Sequence, residues 1–242
     1  MHPTIAGLIS AAYYTREIES MTIDQQGKPL SRVVHPFIAP DHIQNCQIVW
    51  IDTGWQYRSG DVPGSRENQE TSPLEVDIVR RFIRGLRTTI GFKEKLRLAV
   101  LSPYRRQVFE LSKALEDVYI RPPSWLEPLP KKEFPASTVD SFQGNQADVV
   151  IVSLVRQNSA APGSGLGFLR EPPRMNVLFS RAERLLVLVG SWDFFKFQTK
   201  FAPEDKNQPL GHWRLALRYI EEQCKAGNAC LLDGRAFERQ PL

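Results

Sequence analysis

The sequence contains no Gly-x-x-x-x-Gly-Lys-Ser/Thr phosphate loop and no strand-like run ending in the Asp-Glu pair that would hold magnesium. A complete ATP site is therefore not expected from this chain's own residues. Its three cysteines, Cys46, Cys224 and Cys230, are odd in number and form no Cys-x-x-Cys pair. That excludes a zinc ribbon or a disulfide framework and leaves ordinary thiols, with no metal site. No apolar run reaches the roughly 18 residues of a membrane helix, and the N-terminus lacks the basic-then-apolar layout of a secretory signal. The expectation is a soluble, intracellular chain, cytoplasmic or nuclear, with no membrane partner. Internal repeats are absent.

What is present fits one good core, or one core with a small appendage: 242 residues, 42% of them hydrophobic. The formal charge of +4 and a pI near 9.0 suit a nucleic-acid partner, although many enzymes that never touch nucleic acid are equally basic. Arg80, Arg84 and Arg87 fall at i, i+4 and i+7 and are expected to share one solvated helix face. Arg105 and Arg106 would open a helix directly after a strand.

Residues 47–52, 96–102, 148–154 and 185–190 are short runs rich in Val, Ile and Leu, the pattern of strands buried on both faces of a parallel sheet. Between them, 74–86, 105–115 and 174–181 carry apolar residues at helical period. Strand alternating with helix predicts a doubly wound α/β domain, whose working residues gather at strand ends. Residues 54–72 read as a loop, 158–167 as another, and 120–135, with five prolines, as a long connection. An amphipathic helix over 209–224 and a short apolar run at 230–233 form a C-terminal helix-strand extension, expected to occupy 201–242 and to pack on a domain over 1–200.

Two segments carry the chemistry. Ser137-Thr-Val-Asp-Ser-Phe-Gln-Gly144 runs into the strand from Ala147, and Asn176-Val-Leu-Phe-Ser-Arg-Ala-Glu-Arg184 runs into the strand from Leu185. Gly144 lets backbone approach a ligand closely, and Gln143 offers a donor and an acceptor to phosphate, ribose or water; a plain structural turn is the other reading. Arg181, on a helix whose buried face would be Val177, Leu178 and Ala182, could project toward an adjoining domain. From position alone, an ion-paired arginine at a helix end is the plainer reading. Hydroxyls such as Ser102, Tyr104, Thr138 and Ser141 grip phosphate without reading sequence, whereas Asp140 would repel phosphate and could instead cap its turn.

The order, content and spacing of these segments resemble the fifth and sixth conserved motifs of superfamily 1 helicases, nearest the nonsense-mediated-decay and senataxin-like branch. Val100-Leu-Ser-Pro-Tyr104 with Gln107 is similar to the fourth motif, and Met1-His-Pro3 with Ser10, Tyr13 and Tyr14 to the Tyr-Arg-Met-His-Pro block. The resemblance implies the second RecA-like motor domain of a helicase. Arg181 would be the arginine finger on the γ-phosphate of ATP, Gln143, Gly144, Gln146 and Arg184 the nucleotide contacts, and Ser102, Pro103, Tyr104, Thr138, Asp140 and Ser141 the nucleic-acid contacts. ATP and magnesium would be shared with a first motor domain supplied in cis or trans, and the partner would be single-stranded RNA or DNA. It further implies an arginine just before Met1 and hence a fragment boundary there. Two residues depart from the family: Gln146 stands where Glu is common, and Glu183 replaces a second arginine, with Arg184 following. A stand-alone nucleic-acid- or partner-binding module without hydrolysis is the alternative, and an unrelated nucleotide-binding α/β protein a third reading.

Overall fold

The computed structural model describes residues 1–14, 23–24, 27–55, 69–130 and 133–238. In chain order its elements are α1 (Pro3–Tyr13), β1 (Phe37–Ala39), β2 (Ile48–Asp52), α2 (Pro73–Gly85), β3 (Arg87–Thr88), β4 (Leu98–Ser102), α3 (Arg105–Ile120), β5 (Ser137–Thr138), β6 (Ala147–Ser153), α4 (Pro172–Phe179), β7 (Ala182–Gly190), α5 (Trp192–Gln198), α6 (Gly211–Lys225), β8 (Ala229–Asp233) and α7 (Arg235–Glu238).

Six strands form one sheet in the order β5-β4-β6-β7-β2-β8, every pair parallel. The uninterrupted apolar runs have a direct cause, since alternate residues serve cores on opposite faces. Along β2, Ile48 and Trp50 enter one core while Val49 and Ile51 enter the other; along β7, Leu186 and Leu188 face one way and Leu185, Val187 and Val189 the other. Helices α1, α4, α5 and α6 cover the first face, and α2 and α3 the second. This is the expected doubly wound α/β fold, consistent with a RecA-like domain.

The C-terminal helix and strand belong to that sheet. β8 pairs with β2 over five registered positions, and α6 lies against α1, where the Tyr219 hydroxyl donates to Thr4 O at 3.0 Å. Gly7 leaves room for that ring, because a Cβ there would stand 2.2 Å from the Tyr219 hydroxyl oxygen and force the tyrosine to shift. The proline-rich connection also does more than connect. Trp125 and Leu126 are buried, and Leu96 exchanges backbone hydrogen bonds with Trp125 (2.7 Å) and Glu127 (3.0 Å). Most of the expected 54–72 loop lies outside the described residues.

Two helix expectations are corrected. α2 ends at Gly85, capped at Leu86, so Arg87 lies on β3 and shares no helix face with Arg80 and Arg84. Those two instead pair with Asp117 of α3, at 2.5 and 3.1 Å. Likewise α4 stops at Phe179. Ala182 is the first residue of β7, paired with Ala147, and so cannot belong to the buried face of a helix.

Candidate functional site

The fifth-motif segment leaves β5 as a tight turn. Thr138 Oγ1 accepts from Ser141 N (3.2 Å) and lies 2.9 Å from Ser141 Oγ, which donates to Thr138 O (3.0 Å). These hydroxyls are thus spent locally, although Ser141 and Asp140 remain exposed. Phe142 packs on the core and anchors the turn, leaving Gln143, Gly144 and Gln146 exposed. Gly144 has φ 88° with open space around a would-be Cβ, so its requirement is conformational, not steric.

Arg181 meets that turn. Ala147 N donates to Arg181 O at 3.0 Å, which joins the amino ends of β6 and β7 and brings the two motif segments side by side. The Arg181 guanidinium is half-buried and held by neutral acceptors: Nε to Val177 O (3.0 Å), Nη1 to Asn145 O (3.3 Å) and Nη2 to Ser180 Oγ (2.9 Å). Among the described residues no carboxylate stands within 4 Å of it. Its geometry is therefore fixed while its charge is left uncompensated, an arrangement suited to an incoming anion.

Arg184, three residues on, has the opposite environment. It is buried, with Nη2 2.5 Å from Glu94 Oε1 and Nε 2.8 Å from Asp148 Oδ1. Two carboxylates neutralise it inside the fold. Asn176 donates through Nδ2 to the Tyr14 hydroxyl at 3.1 Å, which joins the sixth-motif helix to the end of α1. Arg174, in the first turn of α4, pairs with Glu171 at 2.9 Å, lies 3.9 Å over the Phe168 ring and brings its Nε within 3.9 Å of Asp140 Oδ1 on the fifth-motif turn.

At the carboxyl end of β4, in register with Thr138, Ser102 is wholly buried and its hydroxyl accepts from Tyr104 N at 3.4 Å. Pro103 and Tyr104 are also buried. The Tyr104 hydroxyl accepts from Arg156 Nε at 2.7 Å, and burial raises the phenol's pKa. Of the six residues expected to touch nucleic acid, Thr138, Asp140 and Ser141 therefore lie at the surface, while Ser102, Pro103 and Tyr104 lie beneath it.

Under that edge is a polar network that sequence reasoning missed. Gln107 accepts from Ser72 N (2.8 Å) and donates to Ser72 O (3.2 Å) and Ser153 Oγ (2.9 Å). Ser153 in turn donates to Glu75 Oε2 at 2.6 Å, and both Glu75 oxygens accept from Val155 N. Burial pushes the Glu75 carboxyl up to about 7, against the lowering effect of the Ser153 hydroxyl and the Val155 amide. Val155 is held at φ 67°, a conformation unusual for a β-branched residue and stabilised here by its amide's bond to Glu75. The Ser72-Pro-Leu-Glu75 spacing of a capping box was the available signal. It marks where α2 starts, but gives no hint that Glu75 turns inward.

Among the described residues no group of His, Cys, Asp and Glu is placed to hold a metal, and no helix is long and apolar enough to cross a membrane. Compared with known proteins, residues 1–193 match the family model described as AAA domain. The chain is 35% identical over 149 residues to the DNA polymerase alpha-associated DNA helicase A of Saccharomyces cerevisiae, covering 60% of this chain and 19% of that protein. It is 28% identical over 203 residues to Helicase sen1 of Schizosaccharomyces pombe (81% and 10%). With the Regulator of nonsense transcripts 1 homolog of Neurospora crassa it shares 23% identity over 191 residues (79% and 16%). The chain thus spans about a fifth or less of the length of these relatives. With the family match covering 1–193 and helicases among the relatives, the chain belongs to the AAA domain family, on its superfamily 1 helicase side.

Proposed function

We propose that this chain is the second RecA-like motor domain of an ATP-dependent superfamily 1 helicase, in which Arg181 completes an ATP site held mainly by a first motor domain. The observation that carries this reading is the contrast between Arg181 and Arg184: one guanidinium is oriented by three neutral acceptors and has no carboxylate within 4 Å among the described residues, the other is neutralised within the fold. A fixed, uncompensated guanidinium beside the exposed Gln143-Gly144 turn suits the charge that develops on a transferring phosphoryl group. ATP is the substrate; its magnesium would be held by the first domain. Gln143, Gly144 and Gln146 would line the nucleotide's outer side, and Thr138, Asp140 and Ser141 would face single-stranded RNA or DNA, with the buried Ser102, Pro103 and Tyr104 supporting that edge from beneath.

The test is Arg181→Ala in the protein carrying both motor domains. Nucleic-acid-stimulated ATP hydrolysis should fall by about 10³-fold or more while single-strand binding persists, as for a finger arginine. Hydrolysis within about threefold of wild type would refute the assignment, since a finger arginine contributes far more than that. The internal pairing of Arg184 gives some weight to the alternative, a nucleic-acid- or partner-binding module without hydrolysis, because the cation that would replace the family's second arginine is already neutralised.

A further inference from the structure

The start of α3 goes against the charge preference of a helix end. First-turn amides carry a partial positive charge, so acidic residues are favoured there and cations are not. α3 has no acidic residue in its first turn, and Tyr104 at its N-cap offers no side-chain hydrogen bond to the free amides. Two exposed arginines, Arg105 and Arg106, stand there instead. Among the described residues the one carboxylate within 4 Å of either is Glu70, itself exposed and 3.9 Å from Arg106 Nε. A third cation reaches the same helix end from beneath. Arg156 is 8% exposed, its Nε donates to the Tyr104 hydroxyl at 2.7 Å, and its guanidinium carbon lies 5.1 Å from that ring's centre. Its Nη1 is buried with no hydrogen-bond partner, and among the described residues no carboxylate lies within 4 Å of it. A guanidinium stays charged, so burying it with a donor unmet is unfavourable. One turn beyond Arg105, about 6 Å along the axis, Phe109 stands 67% exposed on the face opposite the buried Leu111, Leu115 and Val118. Ser102 is in register with Thr138, so α3 and the fifth-motif turn leave neighbouring strands at the same end of the sheet.

We propose that the first two turns of α3 form a phosphate-and-base subsite for single-stranded nucleic acid, in which Arg105, Arg106 and the free first-turn amides hold a backbone phosphate and Phe109 stacks the adjoining base. This rests on the motor-domain reading above and carries its strand contacts past the fifth-motif turn, onto residues outside the resembling motifs. A phosphate there supplies the negative charge that the helix end lacks. Arg156 adds positive charge from beneath and, bonded to Tyr104 rather than to the strand, acts as a positioning residue. An exposed aromatic ring one turn from a phosphate site suits a base, because every base presents a face to stack whatever its identity. Free phosphate or an acidic peptide would leave Phe109 unused.

The experiment measures binding of labelled oligouridylate and oligothymidylate by fluorescence anisotropy across a range of salt concentrations, in the protein carrying both motor domains. Replacing both arginines, Arg105→Ala with Arg106→Ala, should make the plot of log affinity against log salt shallower by about 0.7, the share of one phosphate contact on a single strand. Arg105→Lys with Arg106→Lys should keep the wild-type slope. Phe109→Ala should weaken binding about five- to 100-fold at every salt concentration and leave the slope unchanged. Because the arginines oppose the helix dipole, the double-alanine variant should melt at or above the wild-type temperature, which separates lost contacts from lost folding. An unchanged slope in that variant, a lower melting temperature, or Phe109→Ala binding within about twofold of wild type would overturn the subsite, since stacking of a base contributes more than that. If wild type still binds either oligonucleotide in those cases, the motor-domain reading stands without the subsite; wild type that binds neither overturns both.

Discussion

Replacing the Glu75 carboxyl by an amide, Glu75→Gln, should make the protein more stable at alkaline pH and change the shape of its pH–stability curve. Glu75 is 1% exposed and titrates near 7 in the folded state against its ordinary value of 4.5. A carboxyl whose folded pKa is raised favours folding in its protonated form. That advantage is fully present below about 4.5 and is lost as pH rises to about 7. A shift of this size corresponds to about 3 kcal/mol, with roughly 1 kcal/mol of it already lost at about pH 5. The substituted amide cannot ionise, so the variant lacks this slope. It can still meet Ser153 and Val155, and any packing cost is the same at every pH. Urea unfolding of both proteins at intervals from about pH 5 to about pH 8 should show the variant gaining on wild type by about 2 kcal/mol across the series. A stability difference that does not vary with pH would refute the claim that a buried, titrating carboxyl lies between α2 and the end of β6.

Arg184→Ala should destabilise the fold by about 3 kcal/mol, since it leaves Asp148 buried and Glu94 without its partner. Calorimetry or urea unfolding measures this, and a loss below about 1 kcal/mol would mean the ion pairs contribute little. His212 is 1% exposed, and burial lowers its pKa to about 4 from 6.5, with the Leu169 carbonyl opposing. Its contribution to stability is therefore present above about 6.5 and lost as pH falls toward 4. His212→Phe should flatten the acid limb of the stability curve between those values, and an acid limb of unchanged steepness would count against burial of a neutral ring.

The sheet was legible because a strand buried on both faces has a distinctive sequence pattern: β2, β4, β6 and β7 each fall on a short apolar run rich in Val, Ile and Leu. Helix ends were less legible. A helical period continued past Gly85 carries Arg87 onto a helix that has already been capped, and the same arithmetic carried past Phe179 swallows Ala182, which instead starts a strand. The motif segments could be read as segments, but not the bond from Ala147 N to Arg181 O that puts them together, nor the difference in charge balance between Arg181 and Arg184. Those depend on Asn145, Glu94 and Asp148, which are distant in sequence. The Glu75 network was invisible for the same reason, since it is assembled from several separate elements.

The contact between α1 and α6 has a practical consequence for anyone dividing this protein. Thr4 and Gly7 receive Tyr219 where a Cβ at position 7 would force the tyrosine to move, and β8 supplies the neighbour on the outer side of β2. A cut near residue 200 would thus leave a bare apolar strip on α1 and an unpaired edge on β2, both invitations to aggregate. Shortened versions that keep every motif residue yet drop the C-terminal helix and strand should express poorly, and loss of solubility in them should not be mistaken for loss of a working site.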